Sequence, residues 1–279
     1  MLTDETLKRR IHEANVSVHQ TEAQYYEQLH PEVYSRHEQK RITACLKIVD
    51  TLVEENNRNV LDVGAGTGNL TGKLLHLGYK VTANDISPEM CAILKRKFSR
   101  YIVNGKLTVV NAPIEDLVFD VAKFDLIVGY SVLHHLPDYS TALSGLSDLL
   151  KNGGVIYIDH EASPYYWQTE ANSLARLTKD LYFHSNPIIN TLYFQIVGLK
   201  IPVIDYTLSD YWHKKEHAIN HQIIAEVFKQ EGFEYAKRTD YYQNSTWIPN
   251  PLTFAYRLLC KPEMSFWIAK KKSANSLRR

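Results

Sequence analysis

The sequence predicts an α/β fold, a doubly wound and mostly parallel sheet, on three observations. A short apolar strand, Asn59–Val63, runs straight into a turn with glycine at positions 64, 66 and 68. Between residues 59 and 161 strand and helix patterns alternate five times, the sign of a parallel sheet with helices on both faces. The strand at 124–130 is nearly all apolar, as a strand covered on both faces is.

Taken in order, residues 1–58 read as a helical cap. Ile42, Leu46, Val49 and Val53 set its last helix against the coming sheet, and Tyr25, Tyr26 and Tyr34 upstream either cover a ligand or pack. After the glycine turn, Leu70, Leu74, Leu75 and Leu77 mark a helix that Gly78 ends. Lys80–Asp85 alternates as a strand. Ser87 then caps, Pro88 suits the first helical position, and Met90, Ile93, Leu94 and Phe98 form one face. A third strand at 106–110 leads into residues 111–117. Gly153 and Gly154 are expected to end a helix before a fifth strand at 155–159. Residues 59–161 form the core, residues 162–216 an insertion, and residues 217–279 a C-terminal helix near 220–230 with closing strands at 233–242 and 265–271.

Glycine at alternate positions lets backbone pass close under a ligand. Phosphate fits poorly: Asn69 stands where a dinucleotide fingerprint needs its third glycine, no Gly-Lys-Ser/Thr follows, and the Asp62 carboxylate repels a polyanion while attracting an ammonium group. Asp85, at the end of the second strand, is placed to accept hydrogen bonds from ribose hydroxyls.

Asp62-Val63-Gly64-Ala65-Gly66-Thr67-Gly68 resembles the first motif of the class I S-adenosylmethionine-dependent methyltransferases, and Asn84-Asp85-Ile86-Ser87-Pro88-Glu89-Met90 their second. Phe124-Asp125-Leu126-Ile127-Val128 followed by Leu133-His134-His135-Leu136-Pro137-Asp138 resembles the fourth, in the small-molecule, type 11 or 12 branch. The resemblance implies a seven-stranded Rossmann-like sheet with N-terminal helices over S-adenosyl-L-methionine. It assigns Asp62 to the methionine amine or the loop that holds it, and Gly64, Ala65 and Gly66 to the cradle. It gives Asp85 to the ribose, Ile86 and Ile114 to the two faces of the adenine, Asn111 and Ala112 to its edge, and Tyr130 to the methionine.

Methyl transfer from a sulfonium is a direct displacement that needs alignment more than covalent help. A base is required only where the acceptor must lose a proton. His134 and His135 offer imidazole, with an ordinary pKa of about 6.5, and the resemblance adds Asp159 as the acid that orients it. These three are the expected catalytic residues, His135 foremost; the histidines otherwise pack or cap the turn.

Several acceptor classes lack their signatures. No Asn/Asp-Pro-Pro-aromatic follows the fourth strand, no paired arginine-methylating glutamates or Pro-Cys nucleophile is present, and Asp159 alone makes no acidic metal cluster. A small molecule, with oxygen slightly ahead of nitrogen or carbon, is the expected acceptor. The aromatic-rich insertion, with Tyr165, Tyr166, Trp167, Tyr182, Phe183, Tyr193 and Phe194, is expected to be either a lid or a dimer contact. His213-Lys214-Lys215-Glu216-His217 matches a zinc pattern, but methyl transfer leaves a metal no task, so none is expected.

The chain has 279 residues, 44% hydrophobic, with net charge +1. One large domain is expected, and no global field draws it to DNA, RNA or a membrane. Cys45, Cys91 and Cys260 form no disulfide pattern, and no signal or spanning segment is evident, so a cytoplasmic protein is the reading, with a homodimer as one option for its assembly. The rivals are a methyltransferase acting on protein or RNA, a nicotinamide oxidoreductase, and a non-catalytic S-adenosylmethionine-binding module.

Overall fold

The computed structural model describes residues 5–54, 56, 58–119, 122–167, 205–243, 258 and 260–273. Most of the insertion, with Tyr182, Phe183, Tyr193 and Phe194, and residues 274–279 lie outside them.

The cap contains α1 (Glu5–Glu22), the short α2 (Tyr26–Leu29) and α3 (Pro31–Tyr34), and α4 (Arg36–Leu52). Ser35 caps α4 by accepting the Glu38 amide. The core follows as β1 (Asn59–Val63), α5 (Asn69–His76), β2 (Lys80–Asp85), α6 (Pro88–Lys97), α7 (Ser99–Val103), β3 (Leu107–Asn111), β4 (Phe124–Tyr130), α8 (Tyr139–Leu149) and β5 (Leu150–Ala162). After the insertion come α9 (His221–Gln230), β6 (Phe233–Tyr241) and β7 (Met264–Lys271). The seven strands are ordered β3-β2-β1-β4-β5-β7-β6, and only β7 runs antiparallel to its neighbours. The order in which strands are added reverses between the parallel neighbours β1 and β4, and the crevice at such a switch point takes the ligand.

Alternation along the strands splits the core in two. Leu61, Val63, Ile127, Ile156 and Ile158 pack with α8 and α9, while Val60, Leu126, Val128, Val155 and Tyr157 pack with α4 and α5. All ten are essentially without solvent contact, and each such aliphatic side chain contributes about 1.5–3 kcal/mol through burial.

One local expectation is corrected. Gly153 and Gly154 do not end a helix: α8 stops at Leu149, Leu150 already pairs with Phe124, and the ladder resumes at Val155 opposite Leu126. The glycines lie in an irregularity inside β5, where Gly153 takes φ +76°. The His-x-x-Glu-His pattern forms no single helix face either. His213 and His217 end separate turns, His217 stacks on Tyr211, and His221 bonds the Ala162 carbonyl and the Trp267 indole.

Candidate active site

A cavity opens at the carboxyl edge of β1, β2 and β4, beneath α1. The glycine turn forms its floor. Gly64 has φ +61°, and a Cβ there would stand 2.5 Å from Val132 Cγ2, so both backbone shape and packing require glycine. Gly66 has φ +53° and open space where a Cβ would go. Asp85 accepts from the Gly66 amide through Oδ2 and from the Ser87 amide through Oδ1, both at 2.8 Å, which fixes the carboxylate at the cavity edge. Burial pushes its carboxyl above the usual range, against the pull of His19 and these two amides.

Of the residues assigned from sequence, Gly64, Gly66, Asp85, Ile86, Ala112, Ile114, Tyr130 and His135 line this cavity. Five others do not. Asp62 is buried behind the turn and accepts from the Thr71 hydroxyl at 2.5 Å, which ties β1 to α5; burial pushes it up to about 7, against that hydrogen bond. Ala65 packs in the core and its amide bonds the Asn84 carbonyl. Asn111 donates to the Asp85 and Ile86 carbonyls, bracing the edge from outside in a shallower groove.

The other two are His134 and Asp159. The acid that meets an imidazole is Glu161, two positions beyond the expected one: His134 Nδ1 lies 2.8 Å from Glu161 Oε2, and Glu161 Oε1 accepts the Val132 and Leu133 amides at 2.9 and 2.7 Å. Asp159 instead takes Arg41 at 2.9 Å and the Tyr157 hydroxyl, because α4 brings the guanidinium across the end of β5. Glu38, beside Arg41, accepts the Tyr130 hydroxyl at 2.9 Å. Asp159 therefore secures the cap to the sheet and orients no imidazole.

His135 faces the cavity. Its Nδ1 is 2.7 Å from the Ser209 carbonyl, which can only accept, so Nδ1 carries the proton and the neutral ring has a bare Nε2. Burial, then the neighbouring His134, pushes it down to about 3, so it stays uncharged near neutrality. One ring nitrogen each of His134 and His135 and one Asp210 oxygen lie within 4.8 Å of one another.

A methyltransferase-domain family model matches residues 61–158. An uncharacterized methyltransferase of Bacillus cytotoxicus is 33% identical over 53% of this chain and 72% of its own length. A ubiquinone biosynthesis O-methyltransferase of Xanthomonas axonopodis pv. citri is 32% identical over 40% of this chain and 47% of its own. Among solved structures, magnesium protoporphyrin IX methyltransferase from Synechocystis PCC 6803 shares the fold, with TM-score 0.56 at 14% identity over 98% of this chain and 100% of that one. The chain belongs to the class I S-adenosylmethionine-dependent methyltransferases.

In this methyltransferase the cavity fits a nucleoside. Gly66 leaves its space open, each Asp85 oxygen retains a lone pair, and the buried Asn84 Oδ1 at the cavity wall has no hydrogen-bond partner. Helices over the cofactor were expected from sequence, but neither Asn84 nor Asn15 of α1 was. Asn15 is 3% exposed, lines the cavity, donates to the His135 carbonyl at 2.8 Å and leaves its own Oδ1 without a partner. The available signal was a polar residue within the buried stripe Ile11, Asn15, Val18, Glu22 of an amphipathic helix.

Proposed function

We propose that this methyltransferase acts on a small molecule, with oxygen favoured as the accepting atom. The carrying observation is His135: its Nδ1 proton is committed to Ser209, and its bare Nε2 belongs to a neutral ring on the cavity wall between Ser131 and Leu136. S-adenosylmethionine, when bound, supplies a methyl group on a sulfonium. The chain's part is to hold an acceptor hydroxyl in line by a hydrogen bond to His135 Nε2, which takes the proton as the arriving methyl makes that hydroxyl strongly acidic.

The supporting residues act through position. His134, paired with Glu161, fixes the backbone that carries His135, and Arg41 with Asp159 keeps Tyr130 and the cap in register. Asn15 Oδ1 offers one acceptor for an N–H or O–H of the ligand. A cavity roofed by α1 suits a small molecule better than a polymer. The ubiquinone O-methyltransferase relative points the same way. Residues 205–213 add a further wall, through Trp212 on the Leu136 carbonyl and Tyr206 on Glu22.

The test is to incubate the protein with methyl-labelled S-adenosylmethionine and panels of phenols, carboxylic acids, amines, proteins and RNA, reading S-adenosylhomocysteine and the labelled product. Label on a phenol or other hydroxyl supports the reading. Label on protein or RNA alone, or cofactor binding with no transfer to any acceptor, overturns it.

A further inference from the structure

At the glycine turn and in the segment after β4, most of the backbone donors beside the cavity are already taken. The Gly66 amide is given to Asp85, Ala65 to the Asn84 carbonyl, Gly68 to the Ala65 carbonyl, Ser131 to the Asp159 carbonyl, and Val132 and Leu133 to Glu161. The cofactor carries a carboxylate, and buried charge requires a partner. No lysine or arginine lines the cavity among the described residues, so a cation must be an imidazole.

Three imidazoles line it: His12, His19 and His135. His12 Nε2 lies 3.5 Å from Glu115 at the adenine end, and His135 is held neutral. His19 remains. Its Nδ1 is 2.9 Å from Glu22 Oε1, and its ring stands edge-on to His135, with centroids 5.2 Å apart, and beside Tyr26. No described residue hydrogen-bonds its Nε2.

We propose that His19 is the residue that binds the methionine carboxylate of S-adenosylmethionine, through Nε2–H, with Glu22 holding the ring in its charged form. Glu22 is suited to this. It is 1% exposed, takes the Tyr206 hydroxyl at 2.9 Å, and shares its charge with His30, whose Nε2 is 3.6 Å away. The groups that face His19 from other elements are Asp85, Asp210, Tyr26 and His135, and the acids outnumber the single ring held neutral. Burial works against the charged ring, but Glu22 outweighs it and the imidazole lies above its ordinary range.

Calorimetry with the full chain tests this, using S-adenosylmethionine and its decarboxylated analogue, which differ only in the carboxylate. For His19→Gln we expect the affinity for the complete cofactor to fall about tenfold, as for one charge-assisted hydrogen bond, with the decarboxylated form unchanged within twofold. In wild type, affinity for the complete cofactor falls with rising pH as His19 loses its proton. Glu22→Gln moves that fall to lower pH, and His19→Gln abolishes it. Equal weakening of both ligands in His19→Gln, no weakening of either, or the same selective loss in Tyr26→Phe instead, overturns the assignment. Wild-type protein that binds neither ligand would remove the cofactor itself, a result distinct from all of these.

Discussion

The two walls of the cavity are built differently. On the side of β1 and β2 the ligand meets Gly64, Gly66, Asn84 and Asp85, a run of neighbouring residues joined by short-range bonds such as Gly66 to Asp85. On the other side Asn15, His19, His135 and the Ser209 carbonyl converge from three distant parts of the chain, Asn15 and His135 being 120 positions apart. The first wall depends on backbone conformation, which few sequences satisfy. The second depends on side chains, which can be exchanged without altering the fold, and a family of one cofactor and many acceptors exploits that freedom.

The wall of distant side chains should break hardest in turnover. In His135→Gln, transfer to a hydroxyl acceptor should fall by about 10²–10⁴-fold, the range of general-base contributions. Binding of S-adenosylhomocysteine should stay within threefold. Single-turnover kinetics and calorimetry on the same preparation measure both; an unchanged rate would leave His135 a packing residue. The backbone wall should break in affinity instead. Asp85→Ala removes two hydrogen bonds to a charged acceptor, at least about 3 kcal/mol and roughly a hundredfold in cofactor binding, and it frees the Gly66 and Ser87 amides as well. Equal cofactor affinity in that variant would displace the nucleoside from this edge.

The same contrast explains what was legible in the sequence. The strands, the Ser87 cap and the glycine turn follow from period, capping chemistry and positive φ, which are local properties. Glu161 was not legible, because the strand period puts Asp159 and Glu161 on one side, whereas His160 at φ +63° and a register shift between Ile158 and Glu161 break that alternation, sending Asp159 to Arg41 of α4 and Glu161 to His134. His19 and Asn15 sit in a helix whose polar residues look solvated until its buried stripe is known.

Acid should loosen the wall of side chains first. His135 is pushed down to about 3 and His213 to about 4, each by burial and then by the charge of His134. Unfolded, both titrate at about 6.5. A base with a depressed folded pKa supports the fold fully above its unfolded value, and that support is lost as pH falls towards the folded one. Glu161, held low by His134 despite its burial, has the same sign. His30, raised to about 10 by Glu22 and Glu32 against burial, has the opposite one, supporting the fold at low pH and losing that support as pH rises through 10. Urea unfolding should therefore show a loss of about 1–3 kcal/mol between pH 6.5 and 4. His213→Gln should flatten this slope while leaving the alkaline limb in place; an unaltered acid slope would exclude His213 as a source.

The smallest effect is expected where the structure offers the most tempting alternative. His134, His135 and Asp210 are close enough to take a divalent ion, yet their charges are balanced without one. Glu161 meets His134 and two backbone amides, and the His135 nitrogen 3.5 Å from Asp210 gives its proton to Ser209. A metal bound at that nitrogen would have to displace its proton or turn the ring. Chelator treatment followed by elemental analysis should find less than stoichiometric metal and leave turnover within about twofold, a change too small for a lost Lewis acid. Activity lost to chelation and restored by one divalent ion would move acceptor alignment from hydrogen bonds to coordination, and would make Asp210 a ligand where the charge balance has it only as a neighbour of two imidazoles.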